Sequence, residues 1–208
     1  MARGLFITLE GGEGTGKSTQ AARLAASIRA GDREVVATRE PGGTPGAEAI
    51  RALLVTGETD RWSPAAESLL MYAARLDHVE RVIIPALARG AVVVCDRFAD
   101  STRAYQGAGG GADTQLIAAL ESEVRGRCWP DLTLILDLDP AAGLARAESR
   151  AGGETRFEAK GVAFHQRLRA AFLAIAADEP NRCLIIDAAD DIDAVRVAVW
   201  QAVRPRLG

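Results

Sequence analysis

Gly11-Gly12-Glu13-Gly14-Thr15-Gly16-Lys17-Ser18 decides how this chain is read. The stretch fits G-x-x-x-x-G-K-[ST], the pattern of a loop that wraps a polyphosphate. The motif needs a strand before it and a helix after it. The run Leu5-Phe6-Ile7-Thr8-Leu9 is apolar and β-prone, and helical spacing follows Lys17. Gly11, Gly12, Gly14 and Gly16 let the backbone curl so that its N–H groups point inward, and the helix that follows adds its N-terminal dipole. The loop therefore predicts a nucleotide site built from Gly11, Gly12, Glu13, Gly14, Thr15, Gly16, Lys17, Ser18 and Thr19. In it Lys17 bridges the β- and γ-phosphates and Ser18 is a ligand for Mg²⁺. The competing reading is a glycine-rich turn with Lys17 facing solvent.

The chain has 208 residues, 48% of them hydrophobic, which is enough for one sizeable core and short for two. One domain spanning 1–208 is expected. A net charge of −3 gives no electrostatic footprint for nucleic acid. Cys95, Cys128 and Cys183 are odd in number and far apart, as expected of reduced, buried thiols in a cytoplasmic protein. The N-terminal residues run straight into the first strand without an apolar signal region. No apolar span is long enough for a bilayer, so no membrane partner is expected. His78 and His165 have no ligand-like partners in sequence and read as structural or surface residues.

Five runs read as buried strands: 5–10, 34–38, 91–95, 132–138 and 183–187. Val92-Val93-Val94, 132–136 and Leu184-Ile185-Ile186 are continuously apolar, as in a parallel sheet covered on both faces. Helices are expected over 18–30, 45–56, 65–88, 113–125, 141–150, 163–177 and 192–203, with Pro85 kinking or dividing the third. The fold class is α/β, a doubly wound five-stranded parallel sheet with helices on both faces. Gly107 to Gly111 and Ala151 to Thr155 read as the most flexible pieces.

Ligands of such sheets bind beyond the carboxyl ends of the strands. Those positions carry the phosphate loop, then Arg39-Glu40-Pro41-Gly42-Gly43-Thr44, Asp96-Arg97-Phe98, and Asp137 to Pro140 with an arginine-bearing helix behind. A plain ATPase needs one triphosphate cradle. Arg39 and Arg97 add bidentate donors for a second phosphate group, which predicts a phosphate acceptor as well as a donor.

The loop at 11–18, Thr38-Arg39-Glu40-Pro41-Gly42-Gly43-Thr44, Tyr72-Ala73-Ala74-Arg75, Asp96-Arg97-Phe98 with Ser101 to Gln106, and Arg156-Phe157-Glu158 together resemble the bacterial thymidylate kinases. The likeness covers nearly the whole chain. It implies a P-loop fold of the nucleoside monophosphate kinase type, transfer of a phosphoryl group from ATP to dTMP with Mg²⁺, and a homodimer. Phosphoryl transfer needs in-line positioning and cations where charge accumulates, so Lys17 and Arg97 are the candidate catalytic residues. The resemblance places Asp96 beside Ser18 at the metal and Arg39 and Arg97 on the acceptor phosphate. It sets Glu13 on the 3′-hydroxyl, Arg75 on the pyrimidine O4, and Ser101, Thr102, Tyr105 and Gln106 along the acceptor pocket. Met71 stands where the family has an aromatic that stacks on the base. Some thymidylate kinases carry an arginine in the phosphate loop, whereas this chain has Gly14. A mobile lid at about 146–158 is therefore expected to supply the missing cation from Arg150 or Arg156, with Arg146 against the adenine.

Two other readings compete. One is a related nucleotide or deoxynucleoside kinase with another acceptor, which the Arg39 motif and Arg75 oppose. The other is a nucleotide-dependent switch, but neither D-x-x-G nor N-K-x-D occurs in the chain.

Overall fold

The computed structural model describes residues 3–149 and 155–207. Its strands are β1 (Phe6–Glu10), β2 (Val35–Arg39), β3 (Val92–Asp96), β4 (Leu132–Asp137) and β5 (Cys183–Asp187). The helices are α1 (Lys17–Arg29), α2 (Pro45–Val55), α3 (Pro64–His78), α4 (Ile84–Ala88), α5 (Ala99–Thr102), α6 (Thr114–Arg125), α7 (Pro140–Glu148), α8 (Thr155–Glu158), α9 (Val162–Asp178) and α10 (Ile192–Val203). All pairings are parallel in the order β2-β3-β1-β4-β5, the five-stranded sheet expected.

Alternation along the strands explains the two layers. Ile7, Leu9, Val92, Val94, Leu132, Leu134 and Leu136 point to the face covered by α1 and α10. Phe6, Val93 and Cys95 point to the other face, under α3, α4 and α6. Ile135 meets α9 through Leu168 and Phe172. Each such side chain contributes about 1.5–3 kcal/mol on burial. β1 lies between β3 and β4, so the chain passes from β1 out to β2 on one side and later crosses from β3 to β4 on the other, and a crevice opens above the carboxyl end of β1.

Local signals set the helix starts. Thr44 caps α2 by accepting from the Ala47 N–H at 3.0 Å, and Ser63 caps α3 from Ala66 at 3.2 Å. Each cap precedes a proline at the first helical position. The stretch 65–88 is not one helix. A π-helical segment at Val79–Ile83 separates α3 from α4, because Pro85 has no N–H to give and its ring crowds the preceding turn.

The glycines at 107–111 are not a loose loop either. Arg103–Gly109 winds into a second π segment, Gly111 N–H bonds Gly107 O at 2.8 Å, and Phe164 packs against Gly109. Strand ends shift by a residue, so Arg39 and Asp96 end β2 and β3 and are partners in register. The cysteines are free and buried, as expected. Among the described residues, no helix is long and apolar enough to cross a membrane.

Candidate active site

The phosphate loop joins β1 to α1. Gly14 and Gly16 hold left-handed backbone at φ 68° and 87°, which lets the loop turn back over the helix start. Lys17 is buried and donates from Nζ to Gly12 O at 2.5 Å and to Thr15 Oγ1 at 3.2 Å. Burial and the Arg97 charge lower Lys17 to about 8. A polyphosphate arriving there restores the charged form. Ser18 Oγ donates to Asp96 Oδ2 at 2.5 Å, while Asp96 Oδ1 is buried with no partner among the described residues. A hydroxyl beside a carboxylate with a spare oxygen suits a small, hard cation such as Mg²⁺. Thr19 is exposed one residue further along α1.

Gly14 also explains why this loop carries no arginine. A Cβ on Gly14 would lie 1.9 Å from the carbonyl oxygen of Gly143 in α7, so the loop and α7 touch backbone to backbone. Gly14→Ala is expected to cost more than the about 1–2 kcal/mol of left-handed backbone alone and to raise the KM for ATP. A variant with unchanged melting temperature and ATP KM would show that α7 retreats freely.

Arg97 follows β3 with φ 69°, unusual for a side-chain-bearing residue. Its Nη1 donates to Gly11 O at 3.0 Å and Ser101 Oγ at 3.2 Å, and its Nη2 to Glu13 Oε1 at 3.0 Å and Tyr105 Oη at 2.9 Å. Tyr105 Oη donates to Glu13 Oε1 at 2.6 Å. Burial pushes the Glu13 carboxyl up, but Arg97, Lys17 and the Tyr105 hydrogen bond outweigh it and hold it at about 2. Glu13 is thus an ionised acceptor beside the phosphate loop.

Behind this cluster Glu10, at the end of β1, accepts from Phe98 N–H at 2.7 Å and from Ser101 Oγ at 2.6 Å. Burial and nearby Asp100 push Glu10 up to about 8, against Ser101, Arg97 and the Phe98 N–H. The folded state therefore holds a proton that the unfolded chain releases near pH 4.5. The resulting stability is full below that value and is lost as pH rises through about 8. Denaturant titrations from pH 5 to 8 should show a decline of up to about 1.4 kcal/mol per unit, which Glu10→Gln should flatten. An unchanged slope would assign the titration elsewhere.

Glu67, Met71, Arg75 and His78 recur on the buried face of α3. Arg75 is 2% exposed; its Nε donates to Glu40 Oε2 at 2.7 Å and its Nη2 to Phe98 O and Thr102 Oγ1 at 3.0 and 3.1 Å. Arg75 Nη1 is buried with no partner among the described residues. The guanidinium lies over the rings of Tyr72 and Phe98, at 4.6 and 5.2 Å. Tyr72 therefore packs on Arg75 in the core, and Met71 is the buried residue one turn before it. His78 bridges Thr38 at 2.7 Å and Glu40 at 3.0 Å. Gln106 Nε2 donates to Glu67 Oε1 at 2.8 Å.

The remaining arginines are placed differently from one another. Arg39 is half exposed and bonds both oxygens of Glu48 at 3.2 Å, apart from the Arg97 cluster. Arg146 reaches the loop after β5, donating to Ala188 O and Ala189 O at 2.9 and 3.1 Å. Arg150 lies outside the described residues. Arg156 departs from the expected lid role: its guanidinium is buried and spends its nitrogens on Leu54 O, Glu58 O and Thr59 O at 3.0–3.1 Å and on Glu67 at 2.5 Å. A fork committed to four oxygens is not a free cation for the donor phosphates in this arrangement.

Motif reading gave Glu10, Glu40 and Glu67 no role of their own, and read His78 only as a structural or surface residue. Two signals mark them: a carboxylate ending an otherwise apolar strand, and the spacing of four, four and three residues that aligns Glu67, Met71, Arg75 and His78 on one helical face.

The model of the family described as thymidylate kinase matches residues 9–199 of the chain. This chain belongs to the thymidylate kinase family. The thymidylate kinase of Caulobacter vibrioides is 65% identical over 100% of both chains. That of Bradyrhizobium diazoefficiens is 54% identical over 99% of this chain and 91% of its own. The crystal structure of the thymidylate kinase from Ehrlichia chaffeensis superposes with a TM-score of 0.79 at 34% identity, covering 97% of this chain and 99% of that one. Membership accounts for the P-loop kinase fold and for an acceptor region beside a donor loop.

Proposed function

We propose that this chain phosphorylates dTMP to dTDP with ATP, with Lys17 and the loop N–H groups holding the donor and Arg97 aligning the acceptor phosphate. The observation that carries the acceptor assignment is Arg75 Nη1, a buried cationic donor with no partner among the described residues. A guanidinium N–H that only a ligand can satisfy favours the O4 carbonyl of thymine or uracil. It disfavours the amino group of cytosine, where two donors would face each other.

The other roles follow from position. Glu13, ionised and already an acceptor, takes the 3′-hydroxyl, and Tyr105 beside it fills the space a ribose 2′-hydroxyl would need. Met71 packs on the base as a polarisable thioether. Ser101 and Thr102 orient Arg97 and Arg75 from the same wall. Ser18 and Asp96 would hold Mg²⁺, which supplies charge neutralisation on the transferring phosphoryl. Arg39 exchanges Glu48 for the acceptor phosphate. Arg146 borders the adenine, and with Arg156 committed elsewhere Arg150 is the lid cation.

Leu69 and Ile84 are exposed apolar residues on the outer side of α3 and α4, which supports pairing of two copies into a homodimer. The setting is the cytoplasm.

A coupled assay of ADP formation from Mg-ATP tests the reading, with dTMP, dUMP, the ribose form of TMP, CMP and AMP as separate acceptors. A strong preference for dTMP is expected. Preference for CMP or AMP would sink the Arg75 assignment, and turnover without acceptor would point to an ATPase.

A further inference from the structure

We propose that Arg156 is a positioning residue for the acceptor pocket: from α8 it acts through Glu67 to set Gln106, while the adjacent Phe157 sets Tyr105. The inference rests on the assignment of Tyr105 and Gln106 to the acceptor pocket.

The geometry is continuous across three segments. Arg156 is 3% exposed and its fork closes on the carbonyls at and after the end of α2, Leu54 O, Glu58 O and Thr59 O. A cation at a helix C-terminus is held there by the dipole as well as by the hydrogen bonds. The same guanidinium pairs with Glu67 Oε2 on α3 at 2.5 Å. The other oxygen of Glu67 accepts from Gln106 Nε2.

A carboxylate is acceptor-only, so it dictates which end of the Gln106 amide faces α3. The nitrogen turns toward Glu67, and the oxygen remains as an acceptor. On the other side, the Phe157 ring meets the Tyr105 ring edge to face at 5.5 Å and 88°. Two adjacent residues of α8 thus hold two adjacent residues of the π segment.

Stability alone is a poor reason for this construction. Replacing a buried ion pair by packed apolar groups is often neutral or stabilising, whereas a fixed polar network defines one geometry. What the relay provides is one amide orientation and one ring position in the wall that must distinguish acceptors.

The test separates a positioning residue from a transition-state cation by the KM-against-kcat split. Arg156→Lys keeps a charge for Glu67 but loses the fork to the carbonyls. It is expected to raise the KM for dTMP about tenfold or more while kcat and the KM for ATP stay within about threefold. The double variant E67Q/R156M removes both buried charges together and is expected to give the same pattern should Arg156→Lys fold poorly. A fall in kcat of a hundredfold or more with unchanged dTMP KM overturns the proposal and makes Arg156 the lid cation. Gln106→Leu is the control for the pocket: if it leaves the dTMP KM unchanged, the pocket assignment itself fails. If it raises that KM while the Arg156 and double variants do not, only the relay fails.

Discussion

Arg97→Ala is expected to lower kcat/KM for dTMP by about 10³-fold or more while the protein stays folded. The estimate comes from what one correctly placed arginine contributes to phosphoryl transfer, about 10³–10⁵ in rate. Arg97 has four oxygen partners: Gly11 O in the phosphate loop, Ser101, Glu13 and Tyr105. On the proposed roles it ties the donor loop to the acceptor wall, so its removal is expected to lose both the cation and the alignment of two phosphates that repel each other. Folding should suffer less, because Glu13 keeps the Tyr105 hydroxyl and the Lys17 charge. The left-handed backbone at position 97 is a strain of about 1–3 kcal/mol that the core does not need, as found where a side chain is held for chemistry. Arg97→Lys should recover little, since an ammonium cannot span the four oxygens. Steady-state kinetics with thermal melting checks this, and a kcat/KM within tenfold of the parent would remove Arg97 from the mechanism.

Glu40→Ala should be the most damaging single substitution to stability, at about 3–5 kcal/mol. Glu40 is 4% exposed and pairs with Arg75, with His78 on its other oxygen. Without it Arg75 Nε and His78 Nδ1 lose their partner inside the core, while Arg75 Nη2 keeps Phe98 O and Thr102 and His78 Nε2 keeps Thr38. For a domain of this size that corresponds to a melting temperature lower by about 10 °C. Glu40→Gln should cost less, since its carbonyl still accepts from Arg75. If Glu40→Ala melts like the parent, water must reach Arg75, and the buried pair is not what holds this part of the core.

The same two residues show how far the sequence could be read. Arg97 was legible because it follows a strand at the open end of a parallel sheet, where ligand residues gather. Glu40 was visible only as a letter of a motif, and its work depends on Arg75, which is 35 positions away in sequence. Arg156 shows where local reading stops. Its flanking glycines and its family motif suggested a mobile finger, but the carbonyls that hold it belong to residues 97 to 102 positions distant. No local pattern marks those carbonyls, because a backbone C=O carries no sequence signature.

By itself the sequence determined the strand–loop–helix of the phosphate site, the parallel sheet and the list of elements. Those follow from glycine's backbone freedom, apolar periodicity and caps, which act over a few residues. Only the tertiary structure decided which charged groups share a buried space: Glu13 with Arg97 and Tyr105, Glu40 with Arg75 and His78, and Glu67 with Gln106 and Arg156. Burial forces each of these groups to find a partner, and the fold, which brings distant segments within 3 Å, selects which one.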